Sequence, residues 1–183
     1  GLGAMAALLG AELDQARELA AEAAEDEVCE TANDNANGQI VISGHKTAID
    51  RAIELAPERG IRRAVSLPVS APFHCSLMQP AAEIMETALE EIDLRRPVVP
   101  LVANVTAAET DRPDAIRKFL IKQATAMVRW RECVLTMRDA GVDTLVELGA
   151  GKVLSGLLKR IDRDMTALSI ERPDDIEALV KIL

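Results

Sequence analysis

The chain has 183 residues, 49% of them hydrophobic, and a formal net charge of −9 from 21 basic and 30 acidic residues. This length suits one compact domain or two small lobes. The acidic balance excludes a generic nucleic-acid or anionic-membrane surface, and no uncharged apolar run reaches the ~20 residues of a membrane span. Three cysteines without C-x-x-C spacing indicate reduced thiols in a cytoplasmic protein.

The first 69 residues alternate short apolar strands with two amphipathic helices. Apolar residues recur at helical spacing in both helices, and an Asn- and Gly-rich turn separates the two middle strands. The order strand, helix, strand, strand, helix, strand predicts a ferredoxin-like split βαβ lobe. In chain order the predicted elements are 4–9, 12–24, 28–33, 39–43, 45–56 and 61–69.

Residues 66–78 connect the last of these strands to a long helix and carry His74, one of two histidines. Pro68, Pro72 and Pro80 stiffen the segment by fixing φ and holding the preceding residues extended. A rigid segment that holds one histidine at a strand-to-helix junction is suited to position a general base. A proline-rich connection with a structurally satisfied histidine fits the same residues.

The remainder, 70–183, predicts helices alternating with short apolar strands, which indicates an α/β region with a mostly parallel sheet. The whole is therefore α/β with an α+β part, divided at residues 69 and 70. The predicted strands are 98–104, 144–148 and 165–170, and the predicted helices are 81–92, one from about 111, 131–139, one after Gly151, and 173–183. Two of these helices carry the apolar faces Ile84, Met85, Ala88, Leu89, Ile92 and Val153, Leu154, Leu157, Leu158, Ile161.

Gln123 lies in the apolar stripe of the helix that begins near residue 111, four residues after Phe119 and seven after Ile116. A buried amide needs hydrogen-bond partners or costs about 1–3 kcal/mol. An amide at the edge of the stripe would instead reach solvent. The residues alone leave both readings open.

Two further local patterns invite anion binding. The turn from Gly149 to Lys152 fails the phosphate-loop pattern, because Val146 stands where a glycine is needed and Val153 where Ser or Thr is needed. A structural turn remains, or a helix start whose N–H groups meet an anion. Arg59, Arg62 and Arg63 form a basic cluster that is either a solvated surface or a site for an anionic cofactor or acidic protein.

Nucleophile and metal motifs are absent from the sequence. No G-x-S-x-G elbow occurs, and the two histidines stand in no metal-ligand spacing. Cys75 follows His74 directly, but adjacent residues of an extended segment point opposite ways and make a poor catalytic pair.

Four ordered motifs resemble the malonyl-CoA:acyl carrier protein transacylase family over the whole chain. They are the Gly3-Ala-Met-Ala-Ala opening, Asn33-x-Asn35-x-x-Gly-Gln39-x-Val-Ile-Ser-Gly44, Pro68-Val-Ser-Ala-Pro-Phe-His-Cys-Ser-Leu-Met78 and Glu147-Leu-Gly-Ala-Gly-Lys-Val-Leu154. The likeness covers only the larger, C-terminal part of the family's length. It implies a ferredoxin-like lobe in 1–69 and part of a parallel-sheet α/β-hydrolase-like lobe in 70–183.

The resemblance also implies an activity. In the family a serine takes malonyl from malonyl-CoA as an ester and passes it to the phosphopantetheine thiol of acyl carrier protein, in fatty acid biosynthesis. By this resemblance His74 is the general base and acid. The backbone carbonyl of Gln123 is implied to orient it. No tightly bound cofactor is implied, since the CoA thioester is a substrate.

Further positions follow from the same resemblance. Gln39, with Asn33 and Asn35, is implied to face the CoA or pantetheine arm. Arg63, with Arg62, falls where the family offers positive charge to a CoA phosphate or to the acidic carrier protein.

The family's G-H-S-x-G serine, oxyanion loop and malonyl-binding arginine have no match in these residues. Since the chain opens at Gly1 rather than Met, we expect a fragment or a processed chain that a missing N-terminal segment would complete, inactive on its own. The alternative is a non-catalytic fragment that binds acyl carrier protein or CoA. A stand-alone ferredoxin-like regulatory domain is disfavoured, because it would not explain why residues 70–183 match the transacylase motifs.

Overall fold

The computed structural model describes residues 2–181. The chain has a mixed α/β fold with antiparallel and parallel sheets, and it divides into two compact units, Gly1–Cys133 and Val134–Leu183. The predicted lobe boundary between residues 69 and 70 falls inside the first unit and stays a prediction. Among residues 2–181, no helix is both long and apolar enough to cross a bilayer.

The first unit is built on a four-stranded antiparallel sheet with the strand order β2-β3-β1-β4. Two helices connect its strands, and all six elements predicted between residues 4 and 69 are present. The strands are β1 (Gly3–Leu9), β2 (Cys29–Ala36), β3 (Gln39–His45) and β4 (Arg63–Ser66), and the helices are α1 (Leu13–Ala24) and α2 (Lys46–Leu55).

Small side chains let both helices pack closely on one face of this sheet. The buried positions of α1 and α2 are mostly alanines, interleaved with Leu19 and Ile49. Leu8, Ile40 and Ile42 face them from the sheet and are almost completely buried. Each of these large side chains contributes about 1.5–3 kcal/mol by leaving water, so this layer is the main core of the unit.

The opposite face of the sheet is covered by the proline-rich segment that follows β4. Leu67 packs against Met5 and donates its N–H to the Met5 carbonyl at 2.9 Å. The ring of Pro72 fills the space beside Gly3 where a side chain would otherwise stand. The segment that carries His74 is therefore held against β1.

Four strand ends of this sheet differ from the prediction by two residues or more. β2 runs on to Ala36 instead of ending at residue 33, and β4 begins at Arg63 rather than at residue 61. β4 stops at Ser66 rather than at residue 69, because Pro68 has no N–H to continue the ladder. β3 continues through Gly44 to His45 instead of ending at residue 43. Gly44 is therefore part of the sheet and not a strand terminator.

The remaining elements of the first unit begin with a 3-10 turn that leads into a helix. The helix predicted from about residue 111 is present and ends at Gln123. The helix predicted at 131–139 is also present and runs on into the second unit. The elements are the turn Ser76–Met78, α3 (Gln79–Glu90), β5 (Leu101–Ala103), β6 (Ala108–Thr110), α4 (Pro113–Gln123) and α5 (Trp130–Asp139).

The strand predicted at 98–104 is wrong in length and in pairing. Only β5 is strand, and it forms an antiparallel hairpin with β6, an element that was not predicted. Pro97 and Pro100 remove ladder donors just before β5. Ala107 adopts a left-handed φ of 50°, which closes the tight turn before β6.

The apolar faces predicted for two helices are only partly buried. On α3, Leu89 is buried but Ile84 and Met85 are exposed. Ile92 is also exposed, and it lies beyond the helix, which ends at Glu90 rather than at the predicted residue 92. In the second unit, the helix after Gly151 buries Leu157 and Leu158 but exposes its first turn, where Val153 is 70% exposed.

The second unit contains one parallel strand–helix–strand motif followed by a helix. β7 and β8 pair in parallel, with Thr144 opposite Thr166 and Leu148 opposite Ile170. The elements are β7 (Thr144–Leu148), α6 (Val153–Ile161), β8 (Thr166–Ile170) and α7 (Pro173–Val180). The last helix was predicted to reach residue 183, and its final two positions lie outside the described residues.

Candidate active site

His74 stands in a sharply turned segment and not in an extended one. Its φ of 61° is left-handed, which is uncommon for a residue other than glycine and recurs at functional sites. The neighbouring backbone is tied locally, because the Phe73 N–H donates to the Ala71 carbonyl and the Met78 N–H to the Cys75 carbonyl. The segment thus holds the imidazole in a fixed, half-buried position.

A carboxylate from the sheet anchors the turn that follows His74. Glu30 of β2 accepts the Ser76 hydroxyl at 2.6 Å and the Ser76 N–H at 3.3 Å. An acid at the start of a helical turn satisfies N–H groups that otherwise lack partners. Sequence reasoning missed Glu30, because the two residues lie 46 positions apart.

The imidazole of His74 is oriented by a backbone carbonyl. Its Nδ1 lies 2.9 Å from the carbonyl oxygen of Gln123, the last residue of α4. A carbonyl oxygen only accepts, so Nδ1 carries the proton and Nε2 presents its lone pair. The structure therefore brings together the two residues assigned to catalysis, through the backbone of Gln123.

The chain after Gln123 runs along the edge strand of the sheet. Val128 forms a parallel bridge with Asn33: its N–H donates to the Ala32 carbonyl at 2.8 Å, and its carbonyl accepts from the Asp34 N–H at 2.9 Å. A few residues later, Arg131 pairs with the buried carboxylate of Asp34. β2 thus fixes the path of the segment that supplies the histidine's partner.

The three amide residues assigned to the substrate arm lie on neighbouring strands. Asn33 pairs with Val41 in the middle of the β2–β3 ladder, and Asn35 follows two positions along β2. Gln39 opens β3 and pairs with Leu9. All three are half-buried, so their amides line the sheet without being sealed in the core.

The two arginines lie at the far end of the sheet from the histidine segment. Arg63 pairs with Leu9, whereas Pro72 packs beside Gly3 at the other end of β1. The seven residues of β1 span about 20 Å. The stem of Arg62 lies against Gly10, and both arginines are exposed.

The three cysteines are free and buried, and none resembles an activated nucleophile. Desolvation raises the pKa of Cys29 to about 12 and that of Cys133 to about 11, and burial likewise raises the pKa of Cys75. The Cys75 thiol donates to the Pro72 carbonyl at 3.2 Å. Thiolates, which are the reactive form, are therefore scarce near neutral pH.

We expect the native chain to react with a thiol reagent such as 5,5′-dithiobis(2-nitrobenzoate) far more slowly than the unfolded chain, in which three thiols should titrate. Absorbance at neutral pH with and without denaturant measures both rates. Rapid native labelling that Cys75→Ser abolishes would restore Cys75 as a nucleophile candidate.

In the second unit, the side chain of Glu147 caps the start of α6. Glu147 accepts the Leu154 N–H at 3.0 Å, the Ser155 N–H at 2.8 Å and the Ser155 hydroxyl at 2.7 Å. The hydrogen bonds from Ser155 lower the pKa of the Glu147 carboxyl, so it is ionised there. This favours the structural-turn reading of residues 149–152 over anion binding.

No cluster of three or more His, Cys, Asp or Glu side chains that could hold a metal ion occurs within the described part of the chain.

No protein-family model matches the chain, but named relatives do over its full length. Malonyl CoA-acyl carrier protein transacylase of Escherichia coli (strain K12) is 41% identical over 182 residues, covering all of this chain and 59% of that protein. The protein of the same name from Bacillus subtilis (strain 168) is 39% identical over 184 residues, with 58% of it covered. The chain thus spans less than two thirds of the relatives it matches.

Solved structures agree with these sequence matches. An acyl-carrier-protein-S-malonyltransferase from Bartonella henselae superposes with a TM-score of 0.95 at 46% identity, over all of this chain and 58% of that one. A malonyl-transacylase solved in complex with a type II polyketide acyl-carrier protein gives a TM-score of 0.96 at 35% identity, with 59% of it covered. These relatives are acyltransferases.

Proposed function

Because this chain is homologous over its whole length to the C-terminal part of malonyl CoA-acyl carrier protein transacylases, we propose that it carries the histidine half of a malonyl-transfer site. The observation that carries the proposal is the 2.9 Å contact between His74 Nδ1 and the Gln123 carbonyl. The reaction is malonyl transfer from malonyl-CoA to the phosphopantetheine thiol of acyl carrier protein, in fatty acid biosynthesis.

Each half-reaction uses the lone pair on Nε2 of His74. In the first, Nε2 takes the hydroxyl proton of a serine outside these residues as the serine oxygen attacks the thioester carbonyl. The bond to the CoA sulfur breaks, and the imidazolium returns the proton to that sulfur. In the second, Nε2 takes the pantetheine thiol proton as the sulfur attacks the carbonyl of the seryl ester. The bond from that carbonyl to the serine oxygen breaks, and the imidazolium returns the proton to the serine oxygen.

The Gln123 carbonyl stabilises both protonation states of the base. It accepts from Nδ1 whether the imidazole is neutral or charged, so proton uptake at Nε2 requires no reorientation of the ring. An acceptor fixed before the reaction lowers the cost of forming the imidazolium.

The substrate arm is assigned to β2 and β3, with Gln39 at the Leu9 end of the sheet. We place Asn33, Asn35 and Gln39 along the pantetheine, since their half-buried amides offer both donors and acceptors. Arg62 and Arg63 are assigned to a CoA phosphate or to the acidic carrier protein. Their distance of about 20 Å from the Gly3 end of β1 fits recognition of a remote charged group. No tightly bound cofactor is part of the proposal.

The third part of the proposal is a complementary polypeptide. It supplies the serine, the oxyanion loop and the malonyl-binding arginine. Large apolar side chains exposed in both units support it, because a partner that covered them would remove apolar surface from water. On the first unit these are Ile84, Met85, Ile92, Val98 and Val99, and on the second Leu148, Val153 and Ile176.

The finer fold assignment belongs to the same proposal. We assign residues 1–69 to a ferredoxin-like lobe, supported by the βαββαβ order and an antiparallel sheet ordered β2-β3-β1-β4. We assign residues 70–183 to part of an α/β-hydrolase-like lobe, supported by the parallel β7-α6-β8 motif. The free, buried thiols fit a cytoplasmic location.

Complementation tests the function. The chain, the N-terminal portion of the E. coli relative and their mixture are each assayed for malonyl transfer to holo acyl carrier protein by intact mass. We expect transfer only in the mixture. Full activity of the chain alone that survives His74→Ala would overturn the proposed chemistry.

The absence of a matched serine from the sequence favours one alternative, a non-catalytic fragment that binds the carrier protein or CoA. It predicts no transfer in any mixture but measurable binding of acyl carrier protein by calorimetry. Joint reversal of Arg62 and Arg63 to Glu should weaken that binding, and unchanged affinity would remove this surface from the assignment.

A further inference from the structure

A buried ion pair joins the edge strand β2 to the first turn of α5. The Asp34 side chain is fully buried, and its Oδ2 lies 3.0 Å from Nε and 2.8 Å from Nη2 of Arg131, a two-pronged contact. The third nitrogen group of Arg131 donates to the Asn37 side chain at 3.1 Å. The arginine side chain remains 26% exposed, so the anion is the more deeply buried partner.

This pair is a weak source of net stability. Burial raises the pKa of Asp34 even though Arg131 opposes the change, so desolvation outweighs the gain from pairing. The other carboxylate oxygen, Oδ1, is buried and has no hydrogen-bond partner. Buried ion pairs of this kind are better explained by the arrangement they enforce than by stability.

The Asp34–Arg131 ion pair constrains the path of the chain after α4. The last carbonyls of a helix have no partner within the helix, so their direction depends on where the chain goes next. Gln123 ends α4, and its carbonyl is the oxygen that contacts His74. Within the following eight residues, two backbone hydrogen bonds of Val128 and the Arg131–Asp34 contact tie the chain to β2, while the Arg129 N–H donates to the Asn104 carbonyl.

We propose that Asp34 and Arg131 are positioning residues: their ion pair holds residues 124–131 on β2 and so keeps the Gln123 carbonyl aimed at Nδ1 of His74. Neither side chain contacts the imidazole. The catalytic meaning of the pair rests on the proposed function, whereas the geometric coupling does not. Asp34 also lies between Asn33 and Asn35, so the pair fixes the strand that carries both amides.

The tautomer of His74 measures this coupling directly in the 183-residue chain. Two-bond ¹⁵N–¹H correlation spectra distinguish an imidazole protonated at Nδ1 from one protonated at Nε2. His45 is an internal control, because its Nδ1 accepts the Val28 N–H at 2.9 Å and must be unprotonated. The wild-type spectrum should therefore show opposite tautomers for the two histidines.

In Arg131→Gln we expect His74 to populate the Nε2-protonated tautomer substantially, and the Val128 amide to exchange with solvent about tenfold faster or more. His45 should not change. Arg131→Lys keeps the charge but loses the two-pronged contact, so it should give an intermediate tautomer ratio. If Arg131→Gln does not fold, the double variant Asp34→Asn/Arg131→Gln removes the unpaired buried charge and is expected to show the same His74 change.

Arg59→Gln is the matched control, because Arg59 makes a similar two-pronged contact to Glu22 on the helical side of the sheet. It should leave the His74 tautomer unchanged. An unchanged His74 tautomer in Arg131→Gln, with faster Val128 exchange, would overturn the inference. A changed tautomer together with failed complementation would instead reject the proposed function and leave the coupling intact.

Discussion

Replacing His74 with asparagine is expected to lower malonyl transfer by the complemented enzyme about 100- to 10,000-fold, the usual contribution of a general base. Asparagine is the suitable replacement because it tolerates the left-handed backbone that His74 adopts. The variant keeps a polar side chain but has no basic nitrogen. Initial rates of carrier-protein acylation, measured at saturating concentrations of both polypeptides, give the ratio.

His45→Asn is the matched control, because it replaces the only other histidine. The His45 ring accepts a hydrogen bond from the Val28 N–H and supports the fold of the sheet. We expect His45→Asn to lower stability while leaving the transfer rate of the folded fraction within a few-fold of wild type. Equal losses of rate in both variants, with normal circular dichroism, would show that His74 has no special part in the chemistry.

Replacing Gly44 with alanine is expected to destabilise the first unit by about 3 kcal/mol or more, at the upper end of overpacking. A Cβ at this position would overlap the Val28 carbonyl and approach the Cys29 Cα to 2.9 Å. All of the opposing atoms are backbone atoms of Val28 and Cys29, where β2 begins, so no side chain can move aside. The same Val28 carbonyl accepts the His45 N–H at 2.8 Å, and this hydrogen bond should be lost.

Gly156→Ala is the control of opposite sign. Gly156 lies within α6, and a Cβ there meets nothing within 4 Å. Alanine should stabilise the second unit by about 0.5–1 kcal/mol through its helix propensity. Denaturant melts with amide exchange of each unit separate the two effects. A Gly44→Ala variant as stable as wild type would contradict the close approach of β2 to β3.

Hydrophobic periodicity predicts most elements of residues 2–69 because α1, α2, β1 and β3 each pack regularly spaced apolar residues into one core. Ile40 and Ile42 alternate along β3. Buried residues recur at helical spacing on each helix, at Ala16, Leu19, Ala20 and Ala23 of α1 and at Ala48, Ile49 and Ala52 of α2. The segments where prediction was wrong depend on other parts of the chain. β5 takes its partner from β6, and α3 leaves Ile84 exposed.

The site was predictable only in part, for a related reason. The contact between His74 and the Gln123 carbonyl was expected from family resemblance, since a backbone acceptor leaves no mark on residue type. Residues that position the site are invisible to local patterns: Glu30 reaches Ser76 over 46 positions, and Asp34 reaches Arg131 over 97. Asp34 follows Asn33 in a stretch whose polar residues are typical of a turn, although it lies within a strand.

The parallel pair β7 and β8 has a consequence for how the isolated chain behaves in concentrated solution. Among the described residues each strand has one neighbour only, so each leaves a row of backbone donors and acceptors unpaired. Such open edges, next to exposed Leu148 and Val153, are templates for edge-to-edge pairing between copies. The complementary polypeptide that we propose would, by covering these edges, also protect the chain from aggregation.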